Sequence, residues 1–275
     1  MQLATVISQR IWLPTQAPTR GPGGSWGRIA AFLLMVVVQV VSAIEETPEA
    51  LIKRTFAETK KQFEARPGKA DRAWQFARAC FEAADIATNN TERAAIAEQG
   101  ISAARQAIAM ESNSAPAHFY LGVNMGELAE TKGLSALKLV RQMQHEFSVA
   151  RDLDPHIVFA GPDRNLGLLY RDAPSIGSIG SRTKAREHLQ HAVDLAPDFP
   201  ENQLNLIEAL VKWGEKETAT HQLKLLKERL PGARAEFTGP HWTLSWVDWD
   251  ARLQKLAKKL EQPSKALESP RQKQG

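Results

Sequence analysis

The chain has 275 residues, enough for one large domain or two small ones, and its 43% apolar and 24% charged residues are ordinary for a folded body. The formal net charge of +4 collects largely at the two ends, and no dense Lys/Arg run with interleaved aromatics occurs, which argues against a nucleic-acid face. A single cysteine, Cys80, excludes an intrachain disulfide and a zinc knuckle.

The first 43 residues differ in kind from the rest. Arg10, Arg20 and Arg28 precede the apolar run "IAAFLLMVVVQVV" (29–41), and "VSA" (41–43) supplies small residues at minus three and minus one. That is the pattern of a secretory signal peptide cut after Ala43, with an uncleaved N-terminal anchor as the alternative. The expected location is periplasmic, or inner-membrane anchored with Glu45 onward outside. A helical body is expected over 44–262 and a polar, disordered tail over 263–275.

Within that body, Ile52, Phe56, Thr59 and Phe63 form one mostly apolar stripe, predicting an N-terminal helix before "RPG". "FARACFEAA" places Cys80 on an apolar helical face as a small buried hydrophobe. Then the chain repeats itself: "AIAMESNSAPAHFYL" (107–121), "ARDLDPHIVFAGPDRNL" (150–166) and "AVDLAPDFPENQLNL" (192–206) align, and Pro197 to Pro231 spans 34 residues. Three stretches exceed that period. "DIATNNTERAA" lengthens the first unit. "TKGLSALKLVRQMQHEF" is predicted to extend a second helix, through Val140, Met143, Phe147 and Ala150. "RDAPSIGSIGSR" is predicted to be a loop. After Pro231, predicted to close the last unit, Trp242, Trp246, Trp249, Leu253, Leu256 and Leu260 recur at helical spacing, predicting a capping helix whose Arg252, Lys255, Lys258 and Lys259 stay solvated.

These positions resemble the tetratricopeptide repeat (TPR). Leu166, Gly167 and Tyr170 match its first helix, with Ala185, Leu189, Ala192 and Pro197 matching its second; Leu206, Ile207, Gly214, Ala219 and Leu223 match in the following unit. The resemblance implies an all-α, right-handed superhelical solenoid of helical hairpins with expanded early repeats and a C-terminal capping helix. It also implies that first helices line a concave side, which puts Gln75, Glu82, Phe119, Arg164, Leu204 and Glu208 on that face, with Asn124 and Glu127 as polar candidates on a packed helix. Arg164 is expected either to hold a ligand carboxylate or to pair with Asp163, Glu208 or Asp172.

No constellation for a reaction is evident. His188 and His191 stand three apart without a third ligand, and "GSIGS" has neither a preceding strand nor a following Gly-Lys-Ser/Thr. No cofactor, metal or nucleic acid is expected. "AGPDRNLGLLYRDAP", "SIGSRTKA" and "LAPDFPENQLNLIEAL", together with the leader, are similar to exported bacterial proteins related to the T component of TRAP transporters, although the lipid-bearing cysteine of a lipoprotein is absent. That resemblance implies a non-enzymatic periplasmic adaptor that binds a solute-binding protein and a small organic-acid or hydrophobic ligand. The alternative is a general scaffold for envelope assembly, and both monomer and homo-oligomer are compatible with the sequence.

Overall fold

The computed structural model describes residues 46–132 and 136–261; the leader and the C-terminal tail lie outside them. Among the described residues ten α-helices follow one another: α1 (Pro48–Ala65), α2 (Ala70–Asp85), α3 (Asn90–Met110), α4 (Ala115–Glu130), α5 (Leu137–Leu153), α6 (Ile157–Asp172), α7 (Arg182–Leu195), α8 (Pro200–Lys212), α9 (Lys216–Glu236) and α10 (Thr243–Glu261). Consecutive helices pair as hairpins α2–α3, α4–α5, α6–α7 and α8–α9, and each hairpin stacks on the next. Helix α1 covers the first hairpin and α10 packs on α8 and α9. The fold is the expected TPR-type solenoid.

Local chemistry explains the boundaries. Thr47 accepts from the Ala50 amide and Pro48 occupies the first turn of α1. Most of the first insertion becomes helix: the Asn89 side chain accepts from the Glu92 amide while Glu92 accepts from the Thr88 amide and hydroxyl, so α3 starts early and reaches 21 residues. Val140, Met143, Phe147 and Ala150 are all buried along α5, as the stripe predicts. The third insertion is a loop, tied back where the Ser181 amide donates to the Tyr170 carbonyl.

Helices approach closely at small residues. A Cβ on Gly167 would lie 2.6 Å from Leu189 Cγ, and one on Gly122 would lie 2.5 Å from the Phe147 ring, so first and second helices of two successive hairpins touch through the same repeat position. Cys80 is fully buried, and burial pushes its thiol well above its ordinary range.

Two sequence expectations need correction. Helix α9 runs through Pro231 to Glu236 instead of ending there. Its last turn carries Ala233 and leads into Phe237, both buried, and Phe237 packs edge-on to Phe199 and against Trp242. That burial offsets the hydrogen bond the proline removes. Likewise Arg252 is not solvated: only Lys255, Lys258 and Lys259 of the four cations stay exposed, because Arg252 turns onto α8.

The cap is an aromatic plug. Trp242 and Trp249 are buried with Phe199 and Phe237, the half-buried Phe159 packs against Trp242, and the Trp249 indole donates to Glu201 Oε2 at 2.6 Å. Trp249→Ala is expected to cost about 3–5 kcal/mol in urea unfolding. A chain stopped after Gly239 should expose the plug and aggregate in light-scattering assays.

Candidate functional site

The sharpest local feature sits at the start of α6. Val158, Phe159 and Ala160 have φ of 54°, 54° and 58°, a left-handed turn that the right-handed helix follows from Gly161 onward, with Pro162 in its first turn. Such backbone costs about 1–2 kcal/mol per residue for L-amino acids. What holds it is Arg164, whose Nη1 donates to the Val158 carbonyl at 3.3 Å, the Phe159 carbonyl at 3.1 Å and Asn202 Oδ1 at 2.9 Å. Asn202 donates in turn to the carbonyls of Phe159, Ala192 and Ala196. The Arg164 guanidinium also lies 5.4 Å from the Phe199 ring centroid. Arg164 is fully buried, and burial lowers it to about 10 while Glu201 pulls the other way.

Arg164 is therefore a clamp on the fold. Its donors serve backbone carbonyls and Asn202. The expected ion pair with Asp163, Glu208 or Asp172 does not form among the described residues.

The other predicted positions divide in two. Glu82, Arg164 and Glu208 do line up along the inner helices. Glu82 pairs with Arg78 at 2.8 Å; both influence Tyr120, whose hydroxyl burial pushes up to about 12; Arg164 is the next charge, then Glu201. Arg252 completes the seam, donating to Glu201, Asn205 and both oxygens of Glu208 at 2.6–3.0 Å. Burial opposes the Arg252 charge, but Glu201 and Glu208 outweigh it and raise its pKa. Gln75 is half-buried at the other end and accepts from Arg72.

Phe119, Leu204, Asn124 and Glu127 are packing residues. Phe119 meets Tyr120 edge-on and packs against Phe147, and a Cβ on Gly161 would strike its ring at 2.8 Å. Leu204 is buried in the main core. Asn124 donates to the carbonyls of Ala77 and Tyr120, which ties α4 to α2. Glu127 is wholly buried beside Asp85 and Glu130; it accepts from Arg93 at 3.0 Å through Oε2, while its Oε1 has no hydrogen-bond partner among the described residues. Burial first, then the neighbouring Asp85 and Glu130, raises the Glu127 carboxyl well above its ordinary value against the pull of Arg93.

One recurrent feature escaped the sequence reading. The same first-helix position meets the same second-helix position through polar groups in successive hairpins: His118 with Glu146 at 2.6 Å, and Asp163 with His188 at 2.7 Å. His191 takes the other Asp163 oxygen at 2.9 Å. The histidine pair is thereby engaged with a buried carboxylate, and among the described residues no group of three or more His, Cys, Asp or Glu side chains is placed to hold a metal ion. The detectable signal was the repeat alignment itself, which puts His118 and Asp163 in register. Arg93, Glu201 and Asn202 carried none, since their partners lie 34 to 51 residues away or on backbone, and Arg252 showed only its i−4 neighbour Asp248.

Surface grooves lie on the outer side of the stack. Two adjoin between α3 and α5 over α4, with volumes of about 420 and 500 Å³ and with Arg105 and Met125 common to both. A third, of about 650 Å³, lies between α5 and α7 over Asp163 and is lined mostly by charged and polar side chains. Among the described residues no helix is long and apolar enough to cross a membrane.

The family described as regulator of microtubule dynamics protein 1-3 matches residues 39–160, which reach from before α1 to the left-handed turn, fewer than half of the 275 residues. No curated protein matches the chain. Among solved structures, the thermophilic TPR protein TTC0263 of Thermus thermophilus aligns at a TM-score of 0.55 and 15% identity, over 77% of this chain and 97% of that one. MamA aligns at 0.45 with 18% identity (66% and 90% covered), and the TPR protein YrrB at 0.41 with 16% identity (74% and 90% covered). The likeness to the Thermus protein agrees with the hairpin stacking described above: the fold is that of a TPR protein.

Two outcomes follow from the buried polar groups. Arg164→Leu should lower stability by about 3 kcal/mol or more in urea unfolding, because several carbonyls lose their donor at once, and Arg164→Lys should restore only part of it. A raised folded-state carboxyl contributes stability below its unfolded pKa and loses it as pH rises toward the folded one. Stability of the parent should therefore decline upward from about pH 4.3 in part through Glu127, and Glu127→Gln should flatten that decline when urea midpoints are compared across pH.

Proposed function

We propose that this chain is a non-enzymatic TPR adaptor that holds a partner protein on the outer side of its hairpin stack. The observation that carries the reading is the state of the inner helices. Nearly every residue of α4, and α6 from Ala160 to Tyr170, is buried, and the inward charges Glu82, Arg164 and Glu208 are bonded within the chain. The grooves between second helices remain as concave surface, and in the one between α3 and α5 Arg105 and Arg141 make no ion pair or side-chain hydrogen bond among the described residues. A rigid stack with both ends covered suits a protein-binding role.

The leader supports export, so the adaptor would work in the periplasm, either released near Ile44 or anchored by residues 29–41. The likeness of "GPDRNLGLLYRDAP" to TRAP T-component proteins favours a solute-binding protein as the partner. The engagement of Arg164 with the Val158 and Phe159 carbonyls and Asn202 favours a protein partner over an organic-acid ligand at that residue. A general envelope scaffold is the second reading.

A photo-crosslinking residue placed at Ser102, on the α3 wall of the outer groove, tests this in cells expressing the full chain. The expected result is a discrete protein adduct in the periplasmic fraction, absent when the probe replaces exposed Glu228 on α9. Equal labelling at both positions, or no protein adduct at Ser102, defeats the adaptor reading. Mass spectrometry of the adduct separates a solute-binding protein from an envelope-assembly partner.

A further inference from the structure

The groove between α3 and α5 is unlike the rest of the outer surface. Its floor is closed, with Leu121, Met125 and Leu128 of α4 all buried, and the apolar side chains it offers to solvent are Ile108 and Ala109 on α3 and Leu139 on α5. Its rim is cationic. Arg105 on α3 and Arg141 on α5 are exposed, and neither makes an ion pair or side-chain hydrogen bond among the described residues. His145 adds a third basic group on the α5 side. Of the two acids that line it, Glu146 is engaged by His118, which leaves Glu98 toward one end. By contrast, the groove between α5 and α7 mixes Arg151 and Arg186 with Glu187 and Asp194 and has a carboxylate, Asp163, in its floor.

We propose that the α3–α5 groove docks an acidic amphipathic helix of a partner protein. The inference rests on the adaptor reading above and names the chemistry of the partner. Along α3 the lining runs from Glu98 to Ala109, roughly 16 Å at 1.5 Å per residue, which matches about three turns of a bound helix. A guest helix with apolar residues at i, i+3 or i+4, and i+7 would lay that stripe between the two walls, against Ile108, Ala109 and Leu139. Glutamates flanking that apolar stripe would meet Arg105 and Arg141 across the rim, where complementary charge selects the partner and speeds encounter.

Charge also argues against this chain's own ends as occupants. Residues 1–44 carry Arg10, Arg20 and Arg28 and no acid, and residues 262–275 carry Lys265, Arg271 and Lys273 against Glu268 alone. Both would face a rim of their own sign.

The test is a phage-displayed library of 16-residue amphipathic helices with a fixed leucine stripe and with Glu, Lys, Gln or Ala at every other position, selected on the full chain. Selection should enrich Glu beside the stripe. The best peptide, measured by fluorescence anisotropy, should bind the Arg105→Glu/Arg141→Glu variant at least tenfold more weakly, and a Glu→Lys version of that peptide should bind the variant better than it binds the parent. Ser102→Trp, which narrows the groove from its exposed α3 wall, should block the parent peptide. All three positions are exposed, and unchanged thermal melts would certify the fold. No enrichment, enrichment of Lys, or a selected peptide held equally by the double variant overturns the proposal. So does sedimentation showing a homodimer that the double variant abolishes, or oleate occupying the groove where no peptide enriches. A protein adduct at Ser102 combined with any of those results would leave the adaptor reading standing and remove only the acidic helix.

Discussion

Three left-handed residues at the head of α6, clamped by Arg164 and Asn202, are the constraint on which the second half of the molecule depends. The turn swings Phe159 into stacking contact with Phe199, 4.5 Å between ring centroids, and so places it in the aromatic cluster of the cap. Asn202, on the next hairpin, holds the same turn and the end of α7 together. One arginine thus couples the third hairpin, the fourth hairpin and the terminal plug. The local backbone cost is offset by charge-assisted hydrogen bonds within the turn, to the Val158 and Phe159 carbonyls, and by one to Asn202 that forms only when the fourth hairpin is in place.

The inner helices show how a solenoid can carry charge inside without leaving it exposed. Glu82 and Arg78, then Arg164, then Glu201, Arg252 and Glu208 follow one another along the stack, each within reach of an opposite partner or a carbonyl. A buried charge persists only when it is paired and its remaining hydrogen-bonding capacity is met. These side chains meet that condition internally, whereas Arg105 and Arg141, exposed on α3 and α5, stand uncommitted among the described residues.

Much of the architecture was legible in the sequence, and the reason is periodicity. Hairpin spacing, the α5 stripe, the loop before α7 and the tryptophan series of α10 each announce themselves through local spacing. The failures have a common cause. Pro231 marks a boundary in the repeat pattern, but the burial of Ala233 and Phe237 carries α9 past it. Arg252 sits on the polar flank of its helix, and only the carboxylates of Glu201 and Glu208 draw it inward. Arg164 reads as a ligand-binding cation because the acceptors that claim it are carbonyls exposed by a left-handed turn at Val-Phe-Ala, residues with no preference for that conformation. Long-range polar partnership is invisible to spacing.

The grip of α10 on α8 bears on how this chain can change over evolutionary time. Repeat solenoids ordinarily lengthen or shorten by whole units, because one hairpin offers its neighbour much the same surface as another. Here the last hairpin presents two carboxylates and an asparagine, Glu201, Asn205 and Glu208, to one arginine and one indole of the cap. The corresponding positions of α6 are Gly161, Asn165 and Leu168, two of which have nothing to offer Arg252. A copy of the α6–α7 hairpin inserted before the cap would bury that guanidinium against apolar surface. A hairpin added next to the cap would have to bring its own carboxylates to meet Arg252.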